Sequence, residues 1–340
     1  MKGRTIVLDH LKGRESAALM VDGRLEDFLI DVDAPRPGTI YRAVVDRPVK
    51  GQGGVFLKTP DGSAFLRQVK GLAPGQRILV QVTGYCEPGK AIPVTQKLLF
   101  KSRYVIVTPE APGLNMSRSI KDENERDRLL EIAHDAKGDT GYGMILRSSC
   151  AGVDGDDIAQ DIETMVSLAS GVMADAAGDM DMLAQGDGPH LLAWRDWVAP
   201  AEVVTQSGAF QTHAVLDALD AVKQAHVPLD GGAGFFVEPT RALVAVDVNT
   251  GRDASLAAGI KANMSCARAL PRALRLRGLG GQIVLDLAPM PKKDRRAFET
   301  ALRQAFKTDD VETALVGWTP LGHYELQRKR ARFPLDEARG

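Results

Sequence analysis

The chain has 340 residues, with 43 Lys+Arg against 44 Asp+Glu, so its formal net charge is −1. A hydrophobic content of 44% suffices for a globular core, and 26% charged residues argue against wholesale disorder. We expect a cytoplasmic protein without membrane association, because the sequence has neither a long apolar run nor a signal-peptide core. Three widely spaced cysteines favour neither a disulfide framework nor a Cys-pair zinc site.

Charge is distributed unevenly along the chain. Residues 151–193 contain nine acidic residues and no Lys or Arg, whereas residues 268–296 carry a formal charge of +6. Such asymmetry says more about partners than the total does. The basic segment predicts salt-sensitive affinity for a polyanion on one face, and the acidic segment is expected to face away from it.

The first hundred residues predict a β-rich region. Short strands separated by glycine and proline are expected at residues 5–8, 17–21, 27–30, 39–45, 54–57, 64–67, 77–83 and 91–98. Several short strands at close spacing are typical of a small barrel.

Beyond residue 104 the pattern becomes a mixture of helices and strands. Helices are expected at 122–136, 157–174, 214–224, 256–277 (kinked by Pro271) and 293–306. Strands are expected at 143–147, 235–237, 242–248, 282–287 and 313–318, and residues 176–189 read as an exposed acidic linker. The predicted class for this part of the chain is therefore α/β.

Two of the predicted strands end in a carboxylate. Asp247 closes one strand, Asn249 follows on the same face, and Asp286 closes the other strand. In α/β proteins ligands bind at the carboxyl ends of strands, so these side chains converge if the strands are neighbours. Two carboxylates and an amide oxygen would suit Mg²⁺, although a single aspartate at a strand end can equally cap a turn.

Longer motifs surround these carboxylates. Residues 245–251 read AVDVNTG and residues 274–287 read LRLRGLGGQIVLDL, with Gly231-Gly232 upstream and Asn263 between the two runs. Together they resemble the catalytic core of the ribonuclease E/G family. The resemblance extends along nearly the whole chain.

This resemblance implies a multidomain fold. It consists of a DNase I-like catalytic domain with an RNase H-like domain, an inserted OB-fold and a 5′-sensor domain. Residues 1–36 and 181–231 correspond to the two pieces of the RNase H-like domain. Residues 37–108 correspond to the OB-fold, 109–180 to the sensor and 232–340 to the catalytic domain.

The resemblance also implies a magnesium-dependent endoribonuclease, with Mn²⁺ as a possible substitute. Its partner would be single-stranded RNA, cleaved by a metal-activated water to leave 5′-phosphate and 3′-hydroxyl ends. Asp247 and Asp286 match the metal-binding aspartates of the family. Asn249 matches the asparagine that orients them, and it would support Asp286 or ligate the metal.

Three further residues match the family's 5′-end sensor. Arg147 and Ser148 match an Arg-Thr pair that grips a 5′-monophosphate, and Arg118 matches an arginine of a Ser-Arg-Arg-Ile segment. A guanidinium beside a hydroxyl makes a good phosphate clamp. Without the family, Arg147 would read as a solvated surface charge.

The family's RNA contacts match at five positions. Phe56 and Phe65 match aromatics on which bases stack, although Phe in a small barrel can equally be core. Lys90 matches a basic residue that contacts RNA. Arg328 and Arg330, in the segment ELQRKR, would meet the phosphate backbone or else lie on a solvated helix face.

The sequence departs from the familiar members in two places. It has no Cys-Pro-x-Cys zinc link, so a zinc-linked dimer is not implied and the oligomeric state stays open. The OB-fold lacks the usual long loop after Gln68, which leaves an RNA-binding protein with little or no nuclease activity as an alternative. A sugar- or nucleotide-binding α/β protein is disfavoured because no glycine-rich phosphate motif opens a helix.

Overall fold

A computed structural model describes residues 3–49 and 53–338. Its strands are β1 Arg4–Leu11, β2 Arg14–Val21, β3 Arg24–Ile30, β4 Ile40–Val49, β5 Gly54–Thr59, β6 Gly62–Arg67, β7 Arg77–Val82, β8 Ile92–Thr95, β9 Phe100–Lys101, β10 Val105–Thr108, β11 Leu114–Met116, β12 Gly143–Leu146, β13 Asp181–Ala184, β14 Glu202–Val204, β15 His226–Pro228, β16 Gly234–Pro239, β17 Val244–Asn249, β18 Gly281–Asp286, β19 Thr313–Trp318 and β20 Tyr324–Arg328. Its helices are α1 Glu123–Lys137, α2 Gly155–Ala174, α3 Pro189–Asp196, α4 Ala209–Thr212, α5 Val215–Lys223, α6 Leu256–Arg277, α7 Arg295–Lys307 and α8 Leu335–Ala338. Single 3₁₀ turns cover Ser148–Cys150, Asp230–Gly232 and Lys292–Asp294.

The chain divides into two compact units. Unit 1 contains residues up to Val32 and from Pro200 onward, and unit 2 contains Asp33–Ala199. Unit 2 is therefore inserted into the sequence of unit 1. Two predicted boundaries differ from this division, because β10 pairs with β12 rather than joining the barrel and residues 181–199 belong to unit 2.

Five strands of unit 2 form an OB-like barrel. They follow the order β4-β5-β6-β8-β7, and an antiparallel β7–β4 pair closes the ring around an apolar interior that includes Leu57 and Val80. Strand β13 extends this sheet by pairing with β4. The prediction of a linker at residues 176–189 was therefore wrong for Asp181–Ala184, which form a strand. A short, largely exposed edge strand needs no apolar alternation, so its sequence looks like a loop.

The rest of unit 2 is a small sheet covered by two helices. The sheet order is β11-β12-β10-β9, and its buried Met144 packs with Leu129 of α1 and Ile162 of α2. Asp122 caps α1 by accepting the Glu125 N–H at 2.8 Å, and Asp154 caps α2. The predicted helices at 122–136 and 157–174 are confirmed to within two residues.

Unit 1 contains two sheets. Strands β1–β3 form an antiparallel meander to which β14 adds in parallel, and the second sheet has the order β15-β16-β17-β18-β20-β19. Within that second sheet β17 and β18 are parallel and are joined through α6, which continues through Pro271. The apolar face of the sheet packs with residues of α6 and α7, including Leu270 and Phe298. None of the helices in the described ranges is long and apolar enough to cross a bilayer.

Strand β20 was not predicted. Its residues were expected to form an RNA-contacting segment or a solvated helix face, but Tyr324–Arg328 lies between β18 and β19. The inward-facing positions are Tyr324, Leu326 and Arg328, all of them buried. A charged residue at the third inward position concealed the period-2 pattern of a strand.

Candidate active site

The two strand-end carboxylates lie side by side. Asp247 and Asp286 are directly aligned in the parallel β17–β18 pair, and adjacent strands lie ~4.8 Å apart. Val246 and Leu285, one residue earlier on each strand, are buried on the opposite, helix-covered face. Both carboxylates therefore stand on the exposed face of the sheet, so their predicted convergence is confirmed.

Asn249 and His323 each contact one of the carboxylates. The Asn249 side-chain amide donates to Asp247 Oδ2 at 2.9 Å, so Asn249 supports Asp247 and not Asp286, the partner expected from the sequence. His323 Nδ1 lies 3.3 Å from Asp286 Oδ1. His323 was missed because β20 was missed. Once β20 is paired with β18, His323 is the next residue after the Leu285–Tyr324 pair.

Helix α6 holds the segment that follows Asp286. The buried Asn263 donates to the Ala288 carbonyl at 2.9 Å and accepts the Ala288 N–H at 3.0 Å. One helical turn earlier, a Cβ on Gly259 would lie 2.5 Å from the Pro289 carbonyl oxygen, so only glycine allows this close approach. These contacts fix the backbone immediately beyond Asp286.

The donor set at this edge fits a hard divalent cation. In the part of the chain that the structure describes, no Lys or Arg forms an ion pair with Asp247 or Asp286. The described residues include no metal-binding group of three or more His, Cys, Asp and Glu, so a cation held by these two carboxylates would take its other ligands mainly from water. Two adjacent carboxylates without a cationic partner favour a counter-ion. Mg²⁺ and Mn²⁺ accept oxygen donors, and Mg²⁺ commonly uses one or two carboxylates and keeps several waters.

The basic residues near the site lie in two different environments. Arg272 and Arg275 are largely buried and form ion pairs with acidic residues of β3. In contrast, Lys292 and Lys293 are exposed in the loop after Asp286, and Arg252 is exposed in the loop after β17. The loops beside the carboxylate pair therefore carry positive charge, but less than the formal charge of +6 for residues 268–296 suggests.

Arg328 cannot contact RNA, which corrects that prediction. Its side chain is 1% exposed, with Nη1 2.7 Å from Asp309 Oδ2 and 2.8 Å from Thr313 Oγ1. Burial lowers the pKa of Arg328, and the neighbouring Asp309 opposes this effect. The half-buried Arg330 packs over the backbone of Gly281, at the end of β18 opposite to Asp286.

The three predicted phosphate-binding residues follow two neighbouring strands of the small sheet of unit 2. Strands β11 and β12 run parallel, and the Ser117 N–H donates to the Leu146 carbonyl at 2.8 Å just beyond them. Arg118 therefore leaves the sheet at the same edge as Arg147 and Ser148. Arg118 and Ser148 are exposed.

Arg147 is held within the protein. It donates to Asp196 Oδ1 at 2.8 Å, to the Ser102 carbonyl at 2.5 Å and to the Arg195 carbonyl at 3.3 Å. Arg195 also pairs with Asp196 and with Asp187. Burial acts to raise the pKa of Asp196, but hydrogen bonds and charge from Arg195 and Arg147 outweigh it and leave that pKa below its usual range. Asp196 is therefore an ionised partner of Arg147 at neutral pH, and nothing in the sequence indicated it.

The two barrel phenylalanines lie outside the barrel core. Phe56 and Phe65 are half-buried and directly opposed on β5 and β6, with ring centroids 5.2 Å apart. The Phe65 ring covers Gly54, where a Cβ would lie 2.5 Å from the ring, and the Arg47 guanidinium lies 5.4 Å from the centre of the Phe56 ring. Their interpretation as core residues is thus wrong. Lys90 is exposed and pairs with Glu87 at 2.6 Å.

Both aspartates lie within a region that matches a known protein family. The model of the Ribonuclease E/G family matches residues 100–201 and 195–331, which include the carboxylate pair. The chain is 27% identical to Ribonuclease G of Salmonella typhimurium, over 94% of this chain and 78% of that protein. It is 26% identical to Ribonuclease G of Escherichia coli K12, over 95% of this chain and 79% of that protein. It is 25% identical to Ribonuclease E of Synechocystis sp., over 92% of this chain but only 55% of that protein. Because the family match spans well over half of the chain and includes both aligned aspartates, the protein belongs to the ribonuclease E/G family.

Proposed function

We propose that this protein is a magnesium-dependent endoribonuclease that cleaves single-stranded RNA during RNA processing or decay. The observation that carries the proposal is the aligned, exposed pair of Asp247 and Asp286 in a chain whose curated relatives are ribonucleases G and E. The cleaved ends would be a 5′-phosphate and a 3′-hydroxyl. In this assignment unit 1 carries the RNase H-like and DNase I-like domains, and unit 2 carries the OB-fold and the 5′-sensor domain.

Each residue of the site would have a separate role. Asp247 and Asp286 would hold Mg²⁺ or Mn²⁺, and Asn249 restrains the Asp247 carboxylate through its 2.9 Å hydrogen bond. When bound, the metal supplies charge neutralisation and an activated water for phosphodiester hydrolysis. Asn263 keeps the backbone after Asp286 in place, so that this carboxylate does not move away from its partner. Lys292, Lys293 and Arg252 attract the RNA backbone to this edge.

The barrel would hold the RNA strand without selecting its sequence. Phe56 and Phe65 form an aromatic pair on the barrel surface, and base stacking on such a pair is worth ~1–3 kcal/mol per base. Arg47, above the Phe56 ring, adds positive charge for the backbone. Lys90 is exposed and could contact a phosphate, although Glu87 competes for its charge.

A cleavage assay tests the proposal. A labelled, unstructured RNA oligonucleotide is incubated with the purified protein in magnesium and, separately, in EDTA. We expect internal cleavage in magnesium alone, and the products should accept a 5′-phosphate-dependent ligation. If the RNA is bound in both conditions but is cut in neither, the alternative of a binding protein on the same scaffold is correct.

The structure also predicts how the enzyme treats RNA 5′ ends. Because Asp196 already neutralises Arg147, a 5′-monophosphate has to compete with a carboxylate for its charge. We expect the unmodified protein to cleave 5′-monophosphate and 5′-hydroxyl RNA with kcat/KM values within about threefold. Asp196→Asn should raise the preference for 5′-monophosphate about tenfold or more, because a hydrogen bond to a charged group is worth ~1.5–3 kcal/mol.

Two variants control this measurement. Asp187→Asn removes a carboxylate that pairs with Arg195 but not with Arg147, and it should leave the preference unchanged. Adding Arg147→Gln to Asp196→Asn should remove the new preference. A strong 5′-monophosphate preference in the unmodified protein would show that Asp196 does not compete with phosphate.

A further inference from the structure

A row of five side chains crosses the exposed face of the second sheet of unit 1. The strand registers align His226 with Phe236, Phe236 with Asp247, and Asp247 with Asp286. His323 extends the row, 3.3 Å from Asp286. Phe236 therefore lies in line with the carboxylate pair one strand away from Asp247, and His226 lies one strand further.

Phe236 is an unusual residue on this face. Its neighbours Phe235 and Val237 are buried in the core, whereas the Phe236 side chain is 36% exposed. The His226 ring lies 5.0 Å from the Phe236 ring at an interplanar angle of 44°. The ring therefore presents part of an aromatic surface to solvent in the position directly beside Asp247.

We propose that Phe236, supported by His226, is a stacking subsite for the base of a nucleotide adjacent to the cleaved phosphodiester bond. This inference rests on the proposed nuclease function. Directly opposed residues of antiparallel strands have Cα atoms only ~4.5–5.5 Å apart, so the ring lies one strand from Asp247. A nucleotide whose phosphate lies at the carboxylate pair therefore brings its base within reach of the ring.

The chemistry of the subsite predicts a specific kind of selectivity. Every base offers a π-face, so stacking on Phe236 would favour the presence of a base over its identity. It would also favour single-stranded RNA, because a base within a duplex is already stacked on its neighbours. The subsite would thus fix which phosphodiester bond lies over the carboxylates, without reading a sequence.

The test combines a change in the protein with a change in the RNA. Binding of a fluorescently labelled single-stranded RNA is measured by anisotropy in EDTA, for the unmodified protein and for Phe236→Leu and Phe236→Trp. The same RNA is then used with one abasic nucleotide, placed in turn at each position. In magnesium, the cleavage position and kcat/KM are measured on the same RNAs.

We expect Phe236→Leu to weaken binding about 5- to 140-fold, as the range of stacking energies predicts, and Phe236→Trp to preserve it. One abasic position next to the cleaved bond should weaken binding to the unmodified protein, and there Phe236→Leu should cause little further loss. Val316→Ala, at an exposed apolar position on the edge strand β19, should change nothing.

The possible failures are distinguishable. If the protein cleaves RNA but Phe236→Leu alters neither affinity nor cleavage position, the subsite is wrong and the nuclease function stands. If the protein does not cleave RNA but Phe236 and one base show coupled losses in binding, the stacking subsite stands and the proposed function fails. In the last case, the loss of affinity from Phe236→Leu is the same on the intact RNA and on every abasic RNA. Phe236 then does not stack on a particular base, and the inference is overturned. Thermal unfolding of each variant identifies any that fail to fold, and Phe236→Trp then carries the test.

Discussion

Replacing either Asp247 or Asp286 by Asn is expected to abolish RNA cleavage while RNA binding persists. The substitution keeps the shape of the side chain but removes one of two adjacent negative charges that have no Lys or Arg partner in the described residues. Metal stabilisation of a phosphoryl transition state is worth several kcal/mol, so we expect kcat to fall about 10³-fold or more. Binding in EDTA should change little, because in the proposed arrangement the barrel and the basic loops would make the main contacts with RNA.

Glu238→Gln is the matched control for these variants. Glu238 is an exposed carboxylate on β16 in the same sheet, but it is aligned with Ala245 and not with the carboxylate pair. Its loss should leave cleavage close to the unmodified rate. Binding of Mn²⁺, followed by electron paramagnetic resonance, adds a readout that does not depend on catalysis and should weaken in both aspartate variants. Cleavage by Asp247→Asn at the unmodified rate would show that this edge of the sheet is not the catalytic site.

The carboxylate pair could be predicted because its signal is local. An apolar strand that ends in an acid is visible in the sequence, and parallel pairing through α6 follows from the strand-helix-strand order. The aromatic pair of the barrel was instead indicated by the family resemblance. What the sequence did not show was the orientation of Phe56 and Phe65, because period 2 is ambiguous in short strands of a small barrel.

The residues that were missed all depend on long-range contacts. His323 reaches Asp286 only through strand β20, which the buried charge of Arg328 concealed. Asp196 reaches Arg147 across 49 residues of sequence, and no local pattern distinguishes it from other acids in that region. Arg328 was misjudged for the same reason, because its buried partner Asp309 is 19 positions away. A charged residue is expected to be exposed unless the fold pairs it with a buried partner, and the sequence does not reveal a partner that lies far along the chain.

Asp309→Asn is expected to destabilise unit 1 more than any other charge-removing substitution discussed above. The Asp309 side chain is 1% exposed and contacts two buried arginines, Arg275 and Arg328. Arg275 also pairs with Glu26 at 2.8 Å and lies 3.5 Å from Asp27. These contacts join α6, β20 and the end of α7 to strand β3. Asp309 therefore connects the second sheet of unit 1 and its helices to the N-terminal meander.

The size of the effect follows from burial. Asn keeps the volume of the side chain but leaves two buried guanidinium groups short of one negative charge, and breaking a buried pair in this way costs about 3–5 kcal/mol. For a unit of this size, this loss corresponds to a decrease in Tm of roughly 6–20 °C, measured by calorimetry. The decrease should persist at high salt, because buried charges are poorly screened.

Asp220→Asn provides the comparison. Asp220 forms an exposed pair with Lys223 one turn along α5, so its loss should cost less than about 1 kcal/mol and become smaller still at high salt. A decrease for Asp309→Asn no larger than this would mean that Arg275 and Arg328 are stabilised adequately by their remaining partners. Because the cluster is remote from Asp286, at the opposite end of β18, Asp309→Asn should retain RNA cleavage at temperatures below its lowered transition. Stability and catalysis would then be separable within one sheet.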